Sequence, residues 1–256
     1  MNDWNPEQYI KFINERTQPS IDLANRIEVD EPNSIIDIGC GPGNSTAVLA
    51  KKFPSAHIIG ADNSKNMVEK AKYQYPALDF ILFDAENDFP ELKEKFDVVF
   101  SNACIQWVAN HRKLLTDMMS VLKDNGIMAV QIPMNSKEPI HQIINDIAES
   151  DKWKGKFSEK RVFYTLAQSE YYDLLSEISS DFTMWETIYF HRMPSHESII
   201  EWYRSTGLRP YLNKLSKQDA KDFEKDIYEE LVKAYPVQKN GEIIFRFPRL
   251  FFTAKK

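Results

Sequence analysis

The stretch Ser34–Phe53, SIIDIGCGPGNSTAVLAKKF, runs a β-branched apolar segment into three glycines set two apart and then into a helical pattern. SIIDIG reads as a buried strand because it is short, β-branched and free of breakers. Gly39, Gly41 and Gly43 form a G-x-G-x-G turn, and a helix is expected from about Ser45 to Lys52. A dinucleotide fingerprint would need G-x-G-x-x-G, but Asn44 occupies the third glycine's place. A phosphate-binding loop would need Gly-Lys-Ser/Thr, which is absent here. Asp37 lies two residues before Gly39. A carboxylate there repels a pyrophosphate and suits a cationic amino group.

Outward from this loop, strand patterns recur at 56–62 (AHIIGAD), 78–85 (LDFILFDA), 95–103 (KFDVVFSNA) and 124–133 (DNGIMAVQIP, a turn feeding a strand). Helical patterns lie between them at 65–75 and 111–123. Strands alternating with helices imply parallel pairing and a doubly wound sheet. Helices are expected at 138–150 and 171–178, and strands at 182–193 and 242–256, the last with a bulge at Pro248. Two short helices are expected within residues 1–33, with Pro6 and Pro19 at first-turn positions. The fold expected is α/β: a doubly wound, mostly parallel, seven-stranded sheet with a helical cap at about 195–240 inserted before the last strand. Its division is 1–33 for N-terminal lid helices, 34–135 for a cofactor half and 136–256 for a substrate half. Connections as long as the cap usually cover something.

Acids mark the ends of successive strands. Asp62 ends the second strand 19 residues beyond Gly43, where such folds bind ribose hydroxyls. Asp84 ends the third, placed to accept from an adenine amino group. SNACIQW (101–107) ends the fourth beside the same crevice. An amine site, a ribose site and an adenine site in this order describe S-adenosylmethionine. Each acid alone would read as a helix cap.

This layout resembles the class I methyltransferases over residues 30–135. The resemblance implies that Asp37, Gly39, Gly41 and Gly43 hold the methionine side and that Asp62, flanked by Asn63 and Met67, binds ribose. It further implies that Asp84 and Ala85 meet adenine, and that Asn102 and Gln106 line the methyl side.

Stretches outside the cofactor motifs bear on the acceptor: 3–19 (DWNPEQYIKFINERTQP), 105–107 (IQW), 189–210 (YFHRMPSHESIIEWYRSTGLRP) and 247–252 (FPRLFF). They resemble the methyltransferases that form a monomethyl ester of trans-aconitate, a three-carboxylate acid. An ionised carboxylate is already a nucleophile, so no catalytic base is expected. The remaining carboxylates need cations, which the guanidinium fork suits. The resemblance implies substrate-site roles for Arg16, His191, Arg192, His196, Arg209 and Arg249, with Trp4 and Tyr9 in a lid and Trp107 and Tyr189 as pocket walls. Gln18 departs from the family, whose members carry Arg there. For the arginines the plain reading is a solvent-facing or acid-paired side chain, and for the histidines a cap or packed ring. The five-residue spacing of His191 and His196 is not that of a helical metal pair, and no metal is assigned. Cys40 and Cys104 read as small buried fillers.

The chain has 256 residues, 43% hydrophobic and 27% charged, with a formal net charge of −6. That balance disfavours nucleic-acid and anionic-membrane partners and requires local cations for any anionic substrate. Two cysteines do not make a disulfide scaffold. MNDWNPEQY lacks the pattern of a signal peptide, and no apolar run reaches membrane-spanning length. A cytoplasmic monomer acting on a small polycarboxylate is expected. Methylation of another small acceptor, or non-catalytic binding of S-adenosylmethionine, remain alternatives.

Overall fold

The computed structural model describes residues 13–157, 163–204 and 206–256, with side chains from residue 17 onward within them. The strands are β1 (Ser34–Ile38), β2 (His57–Asp62), β3 (Asp79–Leu82), β4 (Phe96–Asn102), β5 (Leu122–Pro133), β6 (Asp181–Met193) and β7 (Ile243–Lys255). They form one sheet in the order β3-β2-β1-β4-β5-β7-β6. The first five run parallel, and β7 lies antiparallel between β5 and β6. The order reverses at β1, so the crevice beyond its carboxyl end is the place where such sheets take ligands.

The helices are α1 (Ile13–Asn25), α2 (Asn44–Lys52), α3 (Lys65–Gln74), α4 (His111–Ser120), α5 (Pro139–Glu149), α6 (Gln168–Ile178), α7 (His196–Arg204), α8 (Arg209–Leu212) and α9 (Lys217–Ala234). Three starts are fixed by side-chain caps: Ser64 accepts from the Met67 N–H, Asn110 from Lys113 and Ser216 from Asp219. Such a cap is worth about 1 kcal/mol.

One face of the sheet packs beneath α1 and α2 through Leu23, Ile35, Leu49, Phe100 and Phe251. The other packs against α4 and α6 through Val99, Leu114, Met128, Tyr171 and Phe252. A third cluster joins α5 to the cap α7–α9 and the start of β7, through Ile140, Trp202, Phe223, Ile227 and Phe245. In α9, Phe223, Ile227 and Leu231 are buried at four-residue steps. Each fully buried side chain of this size contributes about 1.5–3 kcal/mol of transfer free energy.

Two local expectations are corrected. Pro19 lies inside α1, not in its first turn. There the Ser20 hydroxyl donates to the Thr17 carbonyl at 2.7 Å, a local side-chain bond beside the point where proline removes a donor. Pro248 makes no bulge: the register runs unbroken through Thr187↔Arg249, Ile188↔Pro248 and Tyr189↔Phe247. The Pro248 carbonyl accepts from Met134 N–H on the β5 side, just past the last β5–β7 pair, Pro133↔Arg249. The missing N–H therefore faces Met134, at the position where the β5–β7 pairing ends.

Candidate active site

The glycine turn is shaped by backbone geometry that a side chain would spoil. Gly39, Gly41 and Gly43 have φ of 74, 56 and 92°. A β-carbon on Gly39 would fall 2.2 Å from Cys104 Sγ, whereas one on Gly41 would meet nothing within 4 Å. The turn is thus pressed against the loop after β4 at one end and open at its middle. Gly39 N–H donates to the Ala61 carbonyl at 2.7 Å, and Gly41 N–H donates to Asp62 Oδ2 at 2.9 Å. Asp62 Oδ1 takes the Ser64 N–H at 2.9 Å. The acid that ends β2 therefore fixes the turn after β1 and the entry to α3 together.

Asp37 is fully buried. Its Oδ2 accepts from Ser45 Oγ at 2.6 Å and Thr46 Oγ1 at 2.7 Å, which ties the strand to the first turn of α2. Its Oδ1 has no hydrogen-bond partner. Burial lifts its carboxyl to about 6, against the pull of the two hydroxyls, and nearby Asp62 adds to the rise. An orphaned buried carboxylate oxygen beside open glycine backbone fits an incoming cationic amine. Asn102, at the end of β4, likewise keeps a buried Oδ1 without a partner, as does Gln106 with Oε1. Gln106 is held by its Nε2–H bond to the Ala103 carbonyl at 2.7 Å, in a turn where Ala103 has φ 55°. Asp84 is half-buried after β3, with Oδ1 accepting from Glu86 N–H and Oδ2 from Asn87 Nδ2. Ala85 follows it half-buried, Asn63 is exposed beside Asp62, and Met67 is buried beneath α3. The donor and acceptor set along the strand ends fits S-adenosylmethionine. Cys104 is pushed up to about 12 and Cys40 well above its usual value, both first by burial, so the two thiols stay protonated packing groups.

The sheet register extends this site sideways. Asn102 pairs with Gln131, Pro133 with Arg249, Thr187 with Arg249 and His191 with Phe245. Paired residues point to the same side and alternate residues repeat it. Asp37, Asn102, Gln131, Arg249, Tyr189 and His191 therefore share the face covered by α1. Arg249 is 4% exposed; its Nη1 donates to Gln131 Oε1 at 3.0 Å and its guanidinium lies 4.6 Å from the Phe247 ring. His191 is buried among Trp202, Tyr189 and Phe247. Burial, then the Arg249 charge, depress it to about 4, so its ring is neutral at physiological pH. Tyr189 donates to Asp22 Oδ2 at 2.5 Å, which ties α1 to β6.

A band of ring contacts leads from the β4 loop to this cation. Trp107 packs on Phe163 at 4.9 Å, Phe163 meets His141 at 6.0 Å, and His141 meets Tyr203 at 5.1 Å. Tyr203 meets Phe245, which meets Phe247 under Arg249. The Tyr203 hydroxyl bonds to His141 Nε2 at 3.0 Å and Asn135 Nδ2 at 3.2 Å. Sequence reasoning had found Trp107 but missed Gln131, Asn135, His141, Phe163 and Tyr203.

Two expected substrate residues are not brought here. Arg192 alternates to the opposite face from His191 and makes a two-point ion pair with Glu242, its side chain 77% exposed. His196 is buried in the cap, bonded through Nε2 to the Tyr235 carbonyl at 2.8 Å. Arg209 is half-buried at the first residue of α8, within the cap. Trp4 and Tyr9 lie outside the described residues, as does the side chain of Arg16. Gln18 bonds to Asp22 on α1. Among the described residues, no group of three or more acids, histidines or cysteines is placed to hold a metal.

A seven-stranded sheet with one antiparallel strand, a glycine turn after its first strand and acids at the next strand ends define a class I, S-adenosylmethionine-dependent methyltransferase. The profile of a family described as a methyltransferase domain matches residues 30–193. The chain is 41% identical over 256 residues to the trans-aconitate 2-methyltransferase of Enterobacter sp. (strain 638), covering 100% of this chain and 99% of that one. It is 38% identical, with the same coverage, to that of Escherichia coli O139:H28 (strain E24377A / ETEC). The chain belongs to the trans-aconitate 2-methyltransferase family. Its fold also matches the YcgJ protein of Bacillus subtilis at TM-score 0.62 and 19% identity, over 93% of this chain and 98% of that one. A Haemonchus contortus phosphoethanolamine N-methyltransferase 2, solved with phosphomonomethylethanolamine and S-adenosylhomocysteine, matches at TM-score 0.58 and 17% identity, over 93% of this chain and 53% of that one.

Proposed function

We propose that this chain transfers the methyl group of S-adenosylmethionine to a carboxylate oxygen of trans-aconitate, releasing the monomethyl ester. The observation that carries the reading is Arg249: a buried guanidinium, on the same sheet face as Asp37 and Asn102, within a largely aromatic enclosure. Bound S-adenosylmethionine supplies an electrophilic methyl group on a positive sulfur. The residues around it do the rest by placement. Asp37 and the glycine turn seat the amino-acid end, Asp62 takes the ribose hydroxyls, and Asp84 with Ala85 borders the base. Asn102 and Gln106 flank the methyl side. Arg249 holds a carboxylate that is not methylated, and Arg209 serves a further one. The rings of Trp107, Phe163 and Phe247 exclude water, so the attacking oxygen is poorly hydrated and its charge is neutralised as the ester forms. An ionised carboxylate loses no proton in this step, and neutral His191 is a wall of the site, not a base.

The substrate is a small molecule, and the chain works as a cytoplasmic monomer without nucleic-acid or membrane partners. Among the described residues no helix is long and apolar enough to cross a membrane. The test is initial rates on trans-aconitate, cis-aconitate, citrate and isocitrate at equal concentration with methyl-labelled cofactor. Preferred turnover of trans-aconitate into a base-labile label is expected. A base-stable label would overturn carboxyl methylation, and binding of S-adenosylhomocysteine without turnover of any acid would overturn the enzyme reading.

A further inference from the structure

His111, the first residue of α4, and Tyr171, in α6, are 2% and 0% exposed. Tyr171 belongs to the apolar cluster between these helices and the sheet, and the proposed reaction uses neither residue. Burying polar groups in such surroundings is costly unless their bonds are used. The Tyr171 hydroxyl meets His111 Nδ1 at 2.7 Å, with the rings 5.6 Å apart. The neighbours set the direction of this bond. The hydroxyl accepts from Leu166 N–H at 3.4 Å, so its own proton goes to the imidazole. Burial raises the phenol and depresses the ring, so at neutral pH the first keeps its proton and the second accepts it in a hydrogen bond. The ring proton is left for Nε2, which is buried with no hydrogen-bond partner. The ring still lies close enough to the backbone of Ile105 and Val108 for those groups to oppose its depression. These contacts close a circuit around the turn Ile105–Trp107, which presents Gln106 and Trp107. His111 lies against the turn, Tyr171 holds His111, and Leu166 rests on Tyr171. The segment 163–166 then returns to the turn: Tyr164 N–H donates to the Gln106 carbonyl at 3.0 Å, and Phe163 packs on Trp107 at 4.9 Å. That segment belongs to no helix or strand, and Ile105–Trp107 is a single 3-10 turn. The buried side-chain pair supplies the fixing that secondary structure does not.

We infer that His111 and Tyr171 are positioning residues for methyl transfer: their buried hydrogen bond clamps segment 163–166 onto the turn 105–107 and so sets where Gln106 and Trp107 stand. This rests on the proposed placing of that turn at the methyl side. Both residues act through the turn and not on the substrate. Because in-line transfer depends on alignment, a loosened turn slows the chemical step more than it weakens cofactor binding.

The experiment compares Tyr171→Phe, His111→Leu and His111→Asn with wild type. Measured are kcat and KM for trans-aconitate at saturating S-adenosylmethionine, below the melting temperature of each variant, and S-adenosylhomocysteine affinity by calorimetry. Wild-type turnover of trans-aconitate is the control; its absence would overturn the proposed function and take this inference with it. Given that turnover, Tyr171→Phe and His111→Leu are each expected to lower kcat about 10-fold, with S-adenosylhomocysteine affinity within about twofold of wild type. His111→Asn should recover most of the loss, because its Oδ1 can stand where Nδ1 stood and accept from the Tyr171 hydroxyl. Tyr171→Phe with a lowered melting temperature and wild-type kcat would overturn the inference and leave the pair a packing element. So would His111→Asn as slow as His111→Leu, which would show that the hydrogen bond is not the tie. Loss of S-adenosylhomocysteine binding in Tyr171→Phe would also overturn it, since the pair would then support the cofactor pocket as a whole.

Discussion

Gly39 and Cys104 approach so closely that a β-carbon on the glycine would lie 2.2 Å from the thiol sulfur and 2.3 Å from the cysteine's own β-carbon. The contact joins the turn after β1 to the loop after β4, and it leaves no room for adjustment because Cys104 Cβ hangs directly on the backbone. Gly39 also sits at φ 74°, where an L side chain is strained. Gly39→Ala should therefore cost about 2–5 kcal/mol from backbone strain and overpacking together. Cys104→Ala should not restore it, since the β-carbon clash remains; Cys104→Gly in the Gly39→Ala background should recover part. Urea unfolding of the three single and two double variants measures this. Full recovery in Gly39→Ala/Cys104→Ala would assign the clash to the sulfur alone.

Asp37 sets a stability cost that a bound ligand can offset. Burial raises its carboxyl from 3.8 to about 6. Between those values the folded state keeps a proton that the unfolded chain releases. Its contribution to stability is present below pH 3.8, falls as pH rises, and is lost above about 6; the full change is roughly 3 kcal/mol. Asp37→Asn removes the ionisation and keeps an oxygen for Ser45 and Thr46. The variant should unfold at a higher temperature than wild type at pH 8, with the gap closing toward pH 4. Its affinity for S-adenosylmethionine should drop, because a cationic amine would no longer meet a carboxylate. A lower melting temperature at pH 8 would mean that the hydroxyls need the ionised form.

The sheet and the glycine turn were legible in the sequence because their signals are local. SIIDI is β-branched and breaker-free, and the acids Asp37 and Asp62 stand at or near strand ends where residue spacing alone places them. Arg249 was legible for a similar reason, as a lone cation in the apolar run FPRLFF. The same criterion would have found Gln131, a lone amide in GIMAVQIP, had it been applied there. Period-two alternation would have separated His191 from Arg192, since neighbours on a strand face opposite sides. His141, Phe163 and Tyr203 carry no such local mark. They meet only because α5, the segment before α6 and the cap pack together, and sequence spacing holds no record of that. Pro19 misled for a related reason: tertiary packing of Leu23 and Ala24 beneath α1 outweighs the local preference for proline at a helix start.

Asp62 holds two backbone donors at once, the Gly41 N–H and the Ser64 N–H, each at 2.9 Å. Its removal should do more than delete the proposed ribose contact, because it frees the open middle of the glycine turn and the entry to α3. Asp62→Ala should weaken S-adenosylhomocysteine binding about 10- to 100-fold. It should also lower the carboxyl of Asp37, whose rise owes part to the Asp62 charge. The pH window of the stability loss described for Asp37 would then move down. Calorimetry with a pH series of thermal unfolding reads both effects. Unaltered binding would remove Asp62 from the cofactor site, and an unmoved window would remove the coupling between the two acids.

Arg249 and Arg192 make a paired test of where the acceptor binds, since both stand in the stretches that resemble the family and only one faces the site. Arg249 is 4% exposed over Phe247 and bonded to Gln131, while Arg192 lies at the surface on Glu242. Arg249→Ala should raise the KM for trans-aconitate by about 100-fold or more and leave S-adenosylhomocysteine affinity nearly unchanged. It should also destabilise the fold by about 2–4 kcal/mol, since it empties a buried space and strands the Gln131 carbonyl. Arg249→Lys keeps the charge but not the fork, and should recover stability more than KM. Arg192→Ala should leave both kinetic constants within about twofold of wild type, as for an exposed ion pair. His191 enters the same test through pH. With Arg249 in place its ring stays neutral down to about 4, and with Arg249→Ala one of the two causes of that depression is gone. The ring should then titrate at higher pH, closer to the ordinary value for histidine, read from the imidazole proton shift. A His191 that titrates unchanged in Arg249→Ala would mean that burial alone sets it and that the Arg249 charge is directed elsewhere.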